Sequence, residues 1–246
     1  MTESIDIITY YHDCIDGMKD LPAGSVDLVI ADPPFGLDFS QKLYNRDPAY
    51  VVEGHKVAPE DYQGFSCAWM EQCVRLLRET GSMYVFSGHT HLREILTALE
   101  TFGLNIQNQI IWKYQFGNAA VKYALVTSHY NMLFVTKARR GRYYFNKPPA
   151  ETVEERKARY ADMEDVWVIN REYLPKKMKN VNKLPVKLIR KIMRYSLPPD
   201  GVVLDPFLGN GTTHQAAILE GAKKSIGFEI NKNMIEVIEA NISLVD

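Results

Sequence analysis

The stretch that most constrains the fold is Val202 to Glu229, VVLDPFLGNGTTHQAAILEGAKKSIGFE. Its apolar strand, Val202 to Leu204, stops at Asp205. A loop holding Gly209 and Gly211 follows, Thr212 and Thr213 open a helix running to about Glu220, and Gly221 stops it. A second strand, Ser225 to Phe228, ends in Glu229, about 20 residues beyond the first loop glycine, the spacing of nucleotide sites of the Rossmann kind. Glycines let the backbone approach a ligand, the helix N-terminus offers free N–H groups, and the acid can accept both ribose hydroxyls. The loop lacks a third glycine and a following Lys-Ser or Lys-Thr, which disfavours a P-loop cradle. Asp205 and Glu229 flank the loop and would repel a pyrophosphate, whereas a cofactor carrying an amino group and a sulfonium suits them. S-adenosylmethionine has that charge pattern.

A second strand end carries another acid. In VDLVIADPPF the apolar run Val26 to Ala31 meets Asp32, Pro33, Pro34 and Phe35. The prolines donate no amide hydrogen and hold the residues before them extended, so Asp32 falls at the strand's carboxyl end, where open α/β sheets place ligands. A carboxylate, the Pro33 carbonyl with no competing N–H beside it, and the Phe35 ring then address one small volume. That volume suits a planar, amine-bearing molecule. Asp-Pro-Pro also makes a good turn, and it is the downstream unit that favours binding over turning.

Together DPPF at Asp32 to Phe35, DPFLGNGTT at Asp205 to Thr213 and IGFE at Ile226 to Glu229 resemble the amino-methyltransferases of DNA. The motif order resembles their beta class, in which the catalytic tetrapeptide precedes the cofactor loop. Asp13 to Met18, Trp69 to Val85, Ile111 to Lys113, Asp165 to Trp167 and Lys183 to Pro185 extend the resemblance over nearly the whole chain. It implies a Rossmann-like class I methyltransferase fold with circularly permuted motif order and a mainly parallel, doubly wound α/β sheet of about seven strands. It also implies one domain over residues 1–246: a catalytic half to about 136, a basic, irregular target-recognition segment over about 137–182, and a cofactor half from about 183. The last two strands are antiparallel by resemblance alone.

Periodicity predicts strands at Ile5 to Tyr11, Val26 to Ala31, Ser82 to Ser87, Gln109 to Trp112, Asn131 to Thr136, Val202 to Leu204 and Ser225 to Phe228. Helices are predicted near Ser66 to Glu79, Thr90 to Phe102, Pro185 to Ser196, Thr212 to Glu220 and Lys232 to Ile242, with Trp69 in the core. With the final unit at the sheet centre, its strand neighbours the one ending at Asp32 and both motifs open at one edge. At 46% hydrophobic content, 246 residues can bury one large core. Without a run of about 18 apolar residues or a basic-then-apolar leader, the chain is expected to be soluble, unprocessed and cytoplasmic, with no membrane partner. Cys14, Cys67 and Cys73 make neither a paired framework nor a metal pattern, and the histidines have no metal spacing, so no metal is expected.

The resemblance implies S-adenosyl-L-methionine as cofactor and direct methyl transfer to an exocyclic amine of a base flipped out of double-stranded DNA. Asp32 and the Pro33 carbonyl would each accept an N–H of that amine, and Phe35 would stack on the base, with Pro34 completing the tetrapeptide. Gly209 and Gly211, in a loop with Asn210, Thr212 and Thr213, would contact the methionine part. Asp205 would lie near its amino group, Pro206 and Phe207 would line the pocket, Glu229 would hold the ribose, and Asp13 with Cys14 would meet the adenine. An acid as the first letter is similar to adenine-N6 enzymes, whereas cytosine-N4 relatives usually begin with serine. An RNA base, a nucleotide-dependent oxidoreductase and a catalytically silent DNA-binding module are the alternatives; the last two leave the intact Asp32 without a task.

The net charge of -1 offers a polyanion no global attraction, but the cations are unevenly spread. Candidate phosphate contacts are Arg139, Arg140, Arg142, Lys176, Lys177, Lys179 and Lys183. For Lys187 to Arg194 a solvated helix face is the alternative. Base readout is expected from residues 36–64 and 139–182, and Tyr143-Tyr144-Phe145 either packs or fills the gap left by flipping. His129-Tyr130 stands where relatives commonly carry His-Glu. A second copy of the chain and a cognate restriction endonuclease are the further partners implied.

Overall fold

The computed structural model describes residues 5–34, 61–114, 125, 127–139, 141–147, 163–172 and 183–245. Among these, eight strands form one sheet: β1 (Asp6–Tyr10), β2 (Val26–Ala31), β3 (Leu77–Ser87), β4 (Asn105–Lys113), β5 (His129–Thr136), β6 (Val166–Val168), β7 (Val202–Asp205) and β8 (Lys224–Phe228). Their order is β1-β8-β7-β2-β3-β5-β4-β6. The helices are α1 (Cys14–Met18), α2 (Tyr62–Leu76), α3 (Leu92–Thr101), α4 (Val186–Ser196), α5 (Thr212–Leu219) and α6 (Ile235–Ile242), the last entered through a 3-10 turn at Lys232–Met234.

Every residue of β2 is buried, because alternate side chains enter two different cores. Val26, Val29 and Ala31 pack with α2 and α3, including the fully buried Trp69, whereas Leu28 and Ile30 pack with α4 and α5. Such double coverage makes β2 apolar at every position but Asp27 and places it at the middle of the sheet. Its neighbours are β3 and β7, both parallel to it. The expected adjacency of the two motif-bearing strands is therefore present, at the point where the connections change face.

Three expectations are corrected. The last two strands, β7 and β8, pair in parallel; the reversed strand is β5, antiparallel to both β3 and β4. The sheet has eight strands among the described residues where about seven are expected, because β6, three residues at the edge, pairs with β4 and is too short to leave a periodic signal. β4 begins at Asn105, four residues earlier than predicted. Its polar letters conceal a strand whose side chains bond across to β5, Gln107 donating to the Thr136 hydroxyl at 2.9 Å and Gln109 to the Asn131 side-chain oxygen Oδ1 at 2.8 Å.

Helix ends follow local chemistry. α2 starts at Tyr62, not Ser66, because Asp61 accepts the Gly64 N–H at 2.7 Å and caps it, and it ends where Leu77 turns extended into β3. The short α1 escaped the periodicity reading. Asp13 caps it, accepting the N–H of Ile15 at 2.8 Å and of Asp16 at 3.3 Å.

Candidate active site

The carboxyl ends of β2, β7, β8 and the turn after β1 converge on a cavity of ≈ 250 Å³. Asp32 and Pro34 enter it from β2, Pro206, Phe207 and Gly209 from the loop after β7, and Glu229 from the end of β8. Asp13 and Cys14 close the side at α1. The two motifs that lie at opposite ends of the chain thus meet at one wall, because β2 and β7 are hydrogen-bonded neighbours.

The glycine loop is held from both sides. Gly209 adopts a φ of +55, a conformation that reserves the place for glycine even though a Cβ would meet nothing nearer than the Phe207 carbonyl oxygen at 3.8 Å. Its N–H donates to one Glu229 oxygen at 2.9 Å, and the Asn231 N–H donates to the other at 2.7 Å. Two backbone donors fix the carboxylate's plane and leave each oxygen a further lone pair facing the cavity. Burial still raises the Glu229 pKa, with those two N–H groups opposing the rise.

Asp205 differs from its expected place. It is buried beneath the cavity rather than on its wall, and its oxygens are used within the loop: one accepts the Thr213 hydroxyl at 2.5 Å, the other the Phe207 N–H at 2.9 Å. Asn210, Gly211, Thr212 and Thr213 are likewise buried and build the floor and the start of α5, outside the cavity lining. The Asn210 carbonyl accepts Asn241 Nδ2 from α6 at 2.8 Å. These residues shape the loop that the lining residues present.

The carboxylates crowd one another. Asp32 is pushed up to about 7, first by burial, then by the nearby Asp205 charge, with the Arg171 guanidinium opposing. Asp205 is also pushed up to about 7 by burial and Glu229, against the Thr213 and Phe207 hydrogen bonds. Burial and Asp13 push the Cys14 thiol up to about 12, so it is a small apolar wall rather than a nucleophile. Among the described residues His12 is the one basic side chain lining the cavity beside Asp13, Asp32 and Glu229. An acidic wall of this kind, with a left-handed glycine backbone open to the cavity, fits a cofactor bearing an amino group and a sulfonium and disfavours a polyphosphate.

His12, Phe65, Phe228, Ile230, Asn231 and Met234 also line the cavity without having been anticipated. An acid followed two residues later by asparagine, Glu229 to Asn231, was the one local signal for any of them. On its far side Asp32 also borders a smaller gap of ≈ 20 Å³ together with Phe86, Trp112, Tyr130, Arg171, Lys183 and Leu184.

Lys183, expected among the phosphate contacts, is buried against this gap, its Nζ 3.7 Å from Glu172. Arg139 and Arg142 are exposed but lie at the other edge of the sheet. β5 leaves the catalytic edge at Asn131, opposite Ser87, and ends at Thr136, opposite Ser82, so the segment after it emerges at the amino ends of the parallel strands. Phe35, Arg140, Lys176, Lys177 and Lys179 lie outside the described residues, as does most of each segment expected to read bases. On α4, Arg190 and Arg194 both reach Glu220, and Lys191 Nζ lies 4.8 Å from the Trp167 ring centroid, so this face is occupied within the protein.

Two of the three aromatic residues pack: Phe145 stacks on Phe134 and Tyr195, and Tyr143 meets Phe134 edge-on. His129 is exposed at the start of β5, opposite Lys113. His91 stacks on Tyr62 at 4.0 Å, and His214 is held between the hydroxyls of Thr9 and Ser225, its pKa lowered to about 4 by burial.

A mostly parallel α/β sheet whose catalytic edge joins a strand-end Asp-Pro-Pro to a glycine loop and a ribose-type acid defines a nucleotide-cofactor transferase site. A DNA methylase family model matches residues 26–240, and the chain belongs to that family. It is 28% identical over 94% of its length to the Type II methyltransferase M.HinfI of Haemophilus influenzae. The chain spans 66% of that relative's length and 57% of that of the Type II methyltransferase M.BamHI of Bacillus amyloliquefaciens, to which it is also 28% identical. Its fold matches the M1.HpyAVI–SAM complex, with a TM-score of 0.66 and 23% identity, covering 95% of this chain and 98% of that one. It also matches the PvuII DNA methyltransferase, described as cytosine-N4-specific, with a TM-score of 0.69 and 15% identity, covering 98% and 94%.

Proposed function

We propose that this protein transfers a methyl group from S-adenosyl-L-methionine to the exocyclic N6 of an adenine flipped out of a specific site in double-stranded DNA. The observation that carries the reading is the shared cavity: Asp32 and Pro34 on one wall, Gly209 and Glu229 on the other.

The cofactor, when bound, supplies a methyl on a positively charged sulfur, already a strong electrophile. The amine of a base is the weak partner, since its lone pair is delocalised into the ring. Asp32 accepts one of its N–H groups and the Pro33 carbonyl the other, drawing the nitrogen toward a tetrahedral shape. Asp32 is also the base within reach of the proton that the nitrogen releases as the N–C bond forms. Glu229, held by the Gly209 and Asn231 N–H groups, accepts from the ribose hydroxyls. Asp13 borders the adenine end, and Phe207 packs edge-on against Trp69 at 5.4 Å, which stiffens the pocket wall. The protein thereby contributes alignment and electrostatics, with no covalent intermediate.

The duplex approaches at the carboxyl edge, where Lys113 and His129 stand exposed. A cognate endonuclease, a cytoplasmic setting and a second copy of the chain, which would enlarge the recognition surface, belong to the same reading. No helix among the described residues is long and apolar enough to cross a membrane. One domain of three parts remains the reading of the chain's organisation, with recognition in the segment of about 137–182 beyond its first residues, which emerge at the amino edge. Cytosine-N4 transfer is the second reading, favoured by the fold match to the PvuII enzyme. Incubation with isotope-labelled S-adenosylmethionine and mixed-sequence DNA, followed by nucleoside chromatography, decides between them: label in N6-methyladenine supports the first, label in N4-methylcytosine replaces it. Asp32→Ala should abolish transfer while cofactor binding by calorimetry persists.

A further inference from the structure

We infer that Arg171, racked on three aromatic rings beside the small gap behind Asp32, is a positioning residue that holds the catalytic acid as a carboxylate. The inference rests on the methyl-transfer reading, in which Asp32 must accept an N–H.

The geometry begins at the sheet edge. β6 pairs with β4 so that Trp167 lies opposite Trp112, and Trp112 Nε1 donates to the Ile169 carbonyl at 2.8 Å. The chain beyond Ile169 is thereby tied to β4. The Arg171 guanidinium then rests 4.3 Å from the Tyr114 ring centroid, 5.6 Å from Tyr130 and 5.8 Å from Trp112. Three ring faces hold the cation in place, and a guanidinium, unlike an ammonium, keeps its charge when partly desolvated. Arg171 and Asp32 border one gap of ≈ 20 Å³, room for about one water, so the cation stands behind the acid with little solvent between them.

The charges around Asp32 are opposed across it. Toward the cofactor cavity stand Asp205, Asp13 and Glu229, with the His12 ring. From α2 the Tyr62 hydroxyl feels the Asp32 charge. On the far side stand Arg171 and Lys183, and Lys183 already faces Glu172 at 3.7 Å. Burial and Asp205 drive Asp32 toward its protonated form, in which it would offer a donor where an acceptor is needed; Arg171 drives it back.

The test titrates Asp32 in the full chain by carbon NMR of labelled aspartate carboxyls, assigned with Asp32→Asn, beside the pH profile of kcat/KM. In Arg171→Gln the Asp32 midpoint should rise by about one pH unit, as expected for loss of an opposite charge at close range. The acidic limb of the profile should move with it, so activity at pH 7 falls about fivefold and recovers by about pH 9. Arg171→Lys should return both toward the wild-type values, and Arg171→Met, which keeps the apolar stem over the rings, should behave as Arg171→Gln. Lys183→Gln should move the midpoint less than either. An unmoved midpoint in a folded Arg171→Gln or Arg171→Met overturns the inference, as does a loss of activity uniform across pH. A wild-type protein that transfers no methyl to DNA would instead overturn the reading beneath it, while the NMR comparison still reports on Arg171.

Discussion

The two ends of β2 each carry an aspartate, and the protein treats them oppositely. At the amino end Asp27 accepts both oxygens' worth of hydrogen bonds from Arg78, at 2.6 and 2.7 Å, and a further one from the Val202 N–H at 2.9 Å. That acid ties β2, β3 and β7 together. Five residues later Asp32 faces a cavity beside Asp205, and the cation that opposes its burial, Arg171, is held against three rings. One edge satisfies its carboxylate and is structural; the other keeps acids in reserve for ligands, at a cost to the empty protein.

The largest expected break in this comparison is functional. Asp32→Asn should lower methyl transfer by at least roughly 100-fold, the loss typical of one preorganised electrostatic partner, measured at saturating cofactor. The same change should stabilise the apo protein. With a folded-state pKa raised to about 7 from 3.8, the burial cost of Asp32 is fully present above pH 7 and is relieved as pH falls toward 3.8. Thermal melts should therefore show a gain on the order of 3 kcal/mol at pH 8 that shrinks by pH 5. A loss of stability at pH 8 would contradict the assigned cost.

Asp27→Ala should do the reverse, removing about 2 kcal/mol of stability in denaturant unfolding while leaving kcat per folded molecule near wild type. An intermediate effect belongs to Glu229→Gln, in which an amide N–H must face one of the two donor N–H groups. Cofactor affinity by calorimetry should weaken about tenfold, with Asp32 chemistry intact at saturation. The smallest contrast separates the edges as DNA surfaces. Lys113→Ala should lower the salt slope of DNA binding by about 1, whereas Arg139→Ala and Arg142→Ala, at the amino edge, should leave it unchanged. Equal slopes for all three would dissolve the distinction.

Legibility followed the same division. β2 and the β7–α5–β8 unit are legible because a strand buried on both faces is written largely in apolar letters, and its stop is punctuated by proline or glycine. β4 and β6 were read poorly: one satisfies its polar side chains across β5, the other is three residues at an edge, and neither leaves a period. Asp205 shows the limit within a motif. Its letter marks the loop, but whether it faces the cavity or lies under it depends on Thr213 and the Phe207 N–H, which turn its oxygens inward. Lys183 was one cation in a basic run until α4 carried it beneath the surface to Glu172.

The sequence by itself determined the chemistry available at two strand ends: Asp-Pro-Pro at one, a glycine loop and Glu229 at the other, because each is local and set by backbone freedom and missing N–H groups. Only the tertiary structure decided what those ends share. Hydrogen bonding of β2 to β7 joined them in one cavity, reversal of β5 sent Arg139 and Arg142 to the far edge, and docking of β6 on β4 brought Arg171 behind Asp32. Each of those outcomes depends on strand order and direction, which are properties of pairing between distant segments and leave no mark within either one.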